Sequence, residues 1–394
     1  MKRQLLHTPE GVRDIYNEEC GKKQVLEQNL CRVLHQYGYR PIQTPSFEFF
    51  DIFGREIGTT PSKDLYKFFD REGNTLVLRP DITPSVARCV AKYFGEEELP
   101  IRLSYLGNTF INNSSYQGRL KETTQLGAEL VGDSSVDADA EMISMVVECL
   151  KAAGLREFQI TVGHADFFRG LKDAAGLDGE QEEELRSLIS NKNFFGVEEF
   201  VSTLNLCEDL NQLFHLLGNF CTGTEGLSEI KRYAAAYPRI CRVAERLKEL
   251  HDILEVYGIQ RYVSFEPGVI SSYQYYTGII FAGYTFGSGE PIVRGGRYDE
   301  LLTFFGKKSA SIGFAFSTDQ LMAALQRQNI DIPLTSRTML LVYEPHGRNE
   351  AILQAKKRRN AGQAVELLAR DAAKTESDYT AYAERNHISE VRFL

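Results

Sequence analysis

The 394-residue sequence predicts an α+β fold: an antiparallel sheet flanked by helices, interrupted by a helical insertion and followed by a small C-terminal β/α domain. Three observations predict it. Residues 101–132 read as strand, loop, strand, with Leu126, Ala128 and Leu130 alternating against Gln125, Gly127 and Glu129. Residues 165–257 carry apolar positions at helical spacing and little that reads as strand. Beyond residue 331, after a short linker containing Pro and Thr, strand-length apolar runs alternate with a helical segment.

Composition limits the function classes. Hydrophobic residues make up 43% and charged residues 25%, and no apolar run reaches the roughly 18 to 20 residues that a membrane span needs. Residues 1–7 lack the apolar core of a signal peptide, so a cytoplasmic location is expected, with no membrane partner. The seven cysteines have no CxxC pairs and the seven histidines no HExxH or His/Cys cluster, which predicts reduced thiols, no metal and no cofactor. A net charge of −9 opposes non-specific attraction to nucleic acid.

In chain order, residues 14–37 form a helix, with Val25, Leu26, Leu30, Val33 and Leu34 on one face and Gly38 as its stop. Residues 39–47 read as a strand in which Pro41 and Pro45 restrict pairing to an edge or an interface. Residues 67–80 form a hairpin that turns at 71–74. Asp81 or Thr83 suits the N-cap of the helix that follows, a structural role that stands beside any role in binding.

On the 123–131 strand, Gln125, Gly127 and Glu129 share one face, since side chains repeat every two residues. That face reads either as the floor of a site for a small ligand with an amine or imidazole, or as the solvated side of an amphipathic hairpin. Asp133 or Ser135 caps a helix running to about residue 153, and 158–162 is a strand. In the helical block, Leu247, Leu250, Leu254 and Tyr257 form a stripe that reads as core. Strands return at Tyr262 and through 271–286, and Gly287-Ser288-Gly289 makes a turn. Gly295-Gly296 lacks the pattern of a phosphate-cradling loop. Residues 311–316 form a strand and 317–328 a helix. In the tail, 339–343, 365–368 and 391–394 read as strands and 348–360 as a helix, whose Lys356-Lys357-Arg358-Arg359 run is either a solvated face or a nucleic-acid patch.

Several of these stretches resemble the class II aminoacyl-tRNA synthetases, in the version found in histidyl-tRNA synthetases. Leu78-Arg79-Pro80-Asp81-Ile82-Thr83 is similar to a Leu-Arg-Pro-Glu-x-Thr segment, with Asp81 one methylene shorter than the family's Glu. Gly118-Arg119 and Gln125-x-Gly127-x-Glu129 match the second half of motif 2. Tyr275-Tyr276-Thr277 and Gly295-Gly296-Arg297-Tyr298-Asp299 match the histidine-specific signatures. The resemblance implies a class II core over residues 1–330, a helical insertion at about 165–257, a shortened anticodon-binding-like domain over 331–394, and self-association with Pro45 at a dimer interface. It also implies a histidine site. Asp81 and Thr83 would take the ammonium group, and Gln125, Glu129, Tyr275 and Tyr276 the rest.

The same comparison shows what is missing. Ile111, Ser271 and Gln320 stand where the synthetases place arginines that act on ATP, with Asn113 and Ser114 in motif 2 and Gln274 at the family's Asp. Losing one preorganised donor commonly costs about 100- to 1000-fold in rate, and planar, bidentate guanidinium groups are not replaced by neutral side chains. Adenylation is therefore not expected.

A kept amino-acid pocket, lost ATP motifs and a short tail resemble the family of ATP phosphoribosyltransferase regulatory subunits. That resemblance implies no catalytic residue, a short-form catalytic subunit as partner in a hetero-octamer, and L-histidine as effector. The alternatives are a true histidyl-tRNA synthetase and a module sensing uncharged tRNA. The acidic balance counts against the second.

Overall fold

The computed structural model describes residues 6–54, 60–95, 100–113, 119–218, 225–269, 276–334 and 338–394. The predicted positions Ser271, Gln274 and Tyr275 lie outside the described residues. The chain divides into two compact units, one of Met1–Arg13 with Glu27–Asp331 and one of Asp14–Leu26 with Ile332–Leu394.

The larger unit is built on an eight-stranded sheet. Its centre is antiparallel and consists, in spatial order, of Ile101–Phe110, Glu122–Val131, Ser311–Ser317, Val293–Arg297, Ile279–Thr285 and Phe158–His164. A short parallel strand closes each edge, Arg40–Pro41 beside the first and Val263–Phe265 beside the last. Long-range order thus replaces chain order. Glu122–Val131 pairs with its hairpin partner on one side and with Ser311–Ser317 on the other, so Glu129 lies opposite both Leu103 and Gly313.

The segment expected as one strand over 39–47 is split. Arg40–Pro41 joins the large sheet, and Phe47–Phe49 crosses to a separate three-stranded sheet with Lys67–Phe69 and Thr75–Leu78. The prolines account for the break, because Pro41 and Pro45 cannot donate to a continuous ladder. In Phe47–Phe49 the usual alternation is inverted. Glu48 is buried and takes an ion pair from Arg88 at 2.8 Å, while Phe47 and Phe49 are 52% and 55% exposed.

The helix Val136–Ala152 starts at Ser135, whose hydroxyl accepts from the Ala138 N–H at 3.1 Å. It packs against both the sheet and the insertion helix Pro238–Val256, so Met142, Ile143, Met145, Val146, Val147, Cys149 and Leu150 are all fully buried. A helix apolar around most of its circumference is one covered on more than one side. The insertion is helical from Ala165 to Val256 among the described residues.

The smaller unit contains a parallel sheet, Val365–Ala369, Met339–Tyr343 and Glu390–Phe393 in spatial order, with the helices Arg348–Asn360 and Glu376–Arg385. The second helix was not expected from the sequence. Its signal is a capping box: Thr375 and Asp378 satisfy each other's backbone N–H groups. In the basic run Arg358 bonds Gln363 and Arg359 bonds the Val365 carbonyl, while Lys356, Lys357 and Arg359 are exposed.

Candidate functional site

A cleft of about 990 Å³ opens in the larger unit, lined by Asp81, Thr83, Gln125, Glu129, Tyr276 and Tyr298 among others. The structure therefore brings together five of the six predicted binding residues; the sixth, Tyr275, is the one outside the described residues. Both described degenerate positions, Ile111 and Gln320, line the same cleft.

Glu129 is its centre. It is 1% exposed, which excludes the solvated-face reading for this residue. Three hydroxyls converge on its carboxyl group: Thr83 Oγ1 and Tyr105 OH donate to Oε1 at 2.7 and 3.1 Å, and Tyr298 OH donates to Oε2 at 2.5 Å. No guanidinium or ammonium group hydrogen-bonds to it among the described residues. Burial without a countercharge pushes its pKa up to about 8; the hydroxyls oppose the rise and Asp81 adds to it. Burial beside Glu129 likewise holds the Tyr105 and Tyr298 phenols well above their usual range, so they keep their protons.

Two glycines make this geometry possible. Gly127 was expected to leave open floor for a ligand, but the protein fills that space. Tyr105 lies across the strand from Gly127, and a β-carbon there would meet the Tyr105 hydroxyl at 2.5 Å and the Phe314 carbonyl at 2.3 Å. The missing side chain thus admits the ring that holds Glu129. Gly313, the other neighbour of Glu129, gives room for the carboxyl group itself.

At the mouth, Gln125 bridges two elements. Its amide donates to Asp81 Oδ1 at 3.0 Å and its carbonyl accepts from the Ile82 N–H at 3.0 Å. Asp81 Oδ1 also accepts from the Thr83 N–H at 3.3 Å, at the start of the helix Thr83–Tyr93. Neither expected residue is the N-cap: that position is Ile82, without a side-chain bond, while Asp81 meets the first helical N–H from one residue earlier and the Thr83 hydroxyl is committed to Glu129.

The signature containing Arg297 and Tyr298 divides its work. Gly295 and Gly296 lie in a strand and form no phosphate loop; Gly296 gives way to the Tyr276 ring. Arg297 points away from the cleft to Asp139, with contacts at 2.5 and 3.0 Å, and donates to the Asp133 and Ser135 carbonyls. Arg246 of the insertion grips the other oxygen of Asp139 at 2.5 Å. Arg297 and Asp139 are both buried, so this clasp is structural. Tyr298 and Tyr105 are the site residues that sequence reasoning missed. Tyr298 was quoted within its motif without a role, and Tyr105 carries only the signal of facing Gly127 across the hairpin.

In the outer cleft, Gln320 donates to Glu290 at 3.4 Å and Arg119 pairs with Glu290 at 2.6 Å. Lys121, Arg294 and Arg327 line the same cleft.

The family model for histidyl-tRNA synthetase matches residues 11–321. An ATP phosphoribosyltransferase regulatory subunit of Acetivibrio thermocellus is 38% identical over 92% of this chain and 86% of its own length. Another, from Clostridium kluyveri, is 33% identical over 98% of both chains. The crystal structure of an ATP phosphoribosyltransferase regulatory subunit/histidyl-tRNA synthetase from Bacillus halodurans superposes with a TM-score of 0.86 at 31% identity, covering 99% of this chain and 98% of that one. A family model that matches most of the chain, together with regulatory-subunit relatives that match nearly all of it, places the protein: it belongs to the histidyl-tRNA synthetase-like family of ATP phosphoribosyltransferase regulatory subunits.

Proposed function

We propose that this chain is a non-catalytic regulatory subunit that activates a short-form ATP phosphoribosyltransferase, the enzyme that joins a phosphoribosyl group to ATP in the first step of histidine biosynthesis. L-Histidine binds in the Glu129 cleft and acts as feedback inhibitor. The carrying observation is the contrast within one cleft. Asp81, Thr83, Gln125, Glu129 and Tyr276 line it together with Ile111 and Gln320, the two positions at which the resemblance puts arginines that act on ATP. An amino acid's ammonium group suits Asp81, and an imidazole, with one donor and one acceptor, suits a carboxyl group flanked by tyrosines. Inhibition then follows from differential affinity, since an effector that binds two states equally shifts neither.

Self-association belongs to the same reading. The exposed Phe47 and Phe49 share one face of the three-stranded sheet with the half-buried Phe68, whose ring packs edge-on against Phe47, and this apolar face close to Pro45 in sequence supports a dimer contact there within the hetero-octamer. No helix among the described residues is long and apolar enough to cross a membrane, in keeping with the proposed cytoplasmic site of action.

The test is phosphoribosyl-ATP formation by a short-form catalytic subunit with and without this chain, titrating histidine in each case. Higher activity together with histidine inhibition that Glu129→Ala relieves is the expected result. No change in rate and no co-elution with that subunit would overturn the proposal. Histidine-dependent ATP–pyrophosphate exchange by the purified chain would replace it with a synthetase.

A further inference from the structure

Among the described residues, the environment of Glu129 supplies hydrogen-bond donors but no countercharge. Thr83 comes from the helix Thr83–Tyr93, Tyr105 from the neighbouring strand, and Tyr298 from the end of the strand Val293–Arg297. Gly313, on the other adjacent strand, brings no side chain. The titratable groups that face Glu129 are Tyr105, Tyr298 and Asp81, with Tyr276 beyond Tyr298. Arg297, next to Tyr298 in the chain, is turned away and bound to Asp139. A fully buried carboxylate without a countercharge is costly, and such groups take up a proton instead.

Resting on the histidine reading above, we propose that Glu129 carries a proton in the empty pocket and passes it to the imidazole on binding, so that the effector is held as imidazolium against carboxylate. The Glu129 O–H bond breaks, an N–H bond forms on the ring, and the electron pair stays on the carboxylate. The three hydroxyls of Thr83, Tyr105 and Tyr298 are already placed to donate to that carboxylate. In the empty, protonated state one of them must accept, and the 3.4 Å separation of Thr83 Oγ1 from Tyr105 OH lets that hydroxyl pass its own proton to a neighbour. The pocket then selects for ring basicity as well as shape. An imidazole gains a charge-assisted pair, and an isosteric ring too weakly basic to accept the proton does not.

The linkage has a distinct pH signature. Glu129 titrates at about 8 and a free imidazole at about 6.5. Between these values the empty pocket brings one proton and the ring none, and the complex needs one, so binding exchanges almost none with solvent. Below that window a proton is released, and above it one is taken up.

The experiment uses the full chain and L-histidine labelled with ¹⁵N in the ring. Nitrogen chemical shifts of the bound ligand at pH 7.5 report its charge, and calorimetry in buffers of different ionisation enthalpy counts protons at pH 6, 7.2 and 8.5. We expect an imidazolium spectrum, with release at pH 6, a count near zero at 7.2 and uptake at 8.5. Triazolylalanine, whose ring is far less basic, should bind about 10-fold or more weakly. A neutral-ring spectrum, or a proton count that does not change sign, overturns the proton transfer while leaving histidine binding intact. Absence of any histidine binding overturns the pocket assignment and with it this inference.

Discussion

A β-carbon on Gly313 would fall 1.6 Å from Oε2 of Glu129, closer than any two unbonded atoms approach. The carboxyl group therefore occupies the space that a side chain on the adjacent strand would fill. Gly313→Ala is expected to push Glu129 off its three donors and to lower histidine affinity by about 10-fold or more. Overpacking of this kind also costs about 1 to 3 kcal/mol of stability. Calorimetric titration and urea unfolding of the same preparation measure the two effects.

Glu129 also makes stability depend on pH, with a sign set by its raised pKa. Its folded value of about 8 lies above the ordinary 4.5, so the folded state holds the proton more tightly than the unfolded chain does. Its stabilising share is complete below the unfolded pKa and is lost as pH rises through 8. The total is on the order of 4 to 5 kcal/mol. Glu129→Gln cannot ionise, so its stability relative to the parent should rise between pH 5 and pH 9, as followed by urea unfolding across that range. A constant difference between the two proteins would contradict the assignment.

The clasp around Asp139 predicts unequal costs for its members. Asp139→Asn leaves the buried Arg297 guanidinium without its carboxylate, and breaking a buried pair in this way costs about 3 to 5 kcal/mol. Arg246 is partly exposed, with 26% of its side chain in solvent, and retains water as a partner. Arg246→Gln should therefore cost much less than Asp139→Asn by chemical denaturation.

If the exposed phenylalanines form a contact between copies, a charge placed among them should break it. Phe49→Asp, at a side chain that already faces solvent in the single chain, is expected to shift sedimentation towards the monomer with the melting temperature of the monomeric unit unchanged. Unaltered sedimentation would place self-association elsewhere.

The larger fold was legible because its elements are long and marked at their ends. Ser135 caps its helix as the sequence suggested, and Gly38 and Gly154 adopt the positive φ that ends a helix. Legibility failed where tertiary order decided the outcome. The prolines mark a break within residues 39–49, but which sheet each half joins depends on the distant strands Ile101–Phe110 and Thr75–Leu78. The Glu376–Arg385 helix was missed because its apolar face is short, with Tyr379 and Ala383 its buried residues.

The site shows the same division. Gln125, Glu129, Asp81 and Thr83 were recognisable from type and spacing, whereas the part played by Tyr105 required the strand register. The polar face was read as open floor, because a sequence shows an absent side chain at Gly127 but not the ring from the next strand that fills the gap.

The hydrogen bond from Tyr298 to Glu129 joins residues 169 apart in the chain, whereas those from Thr83 and Tyr105 span 46 and 24. Closing the long loop carries the larger entropy penalty, and contacts of such separation tend to form late. A chain in which that long loop has not closed lacks the third donor, and a ligand that needs all three would favour the complete fold. If histidine is that ligand, as proposed, its binding would draw the population towards the complete fold by mass action.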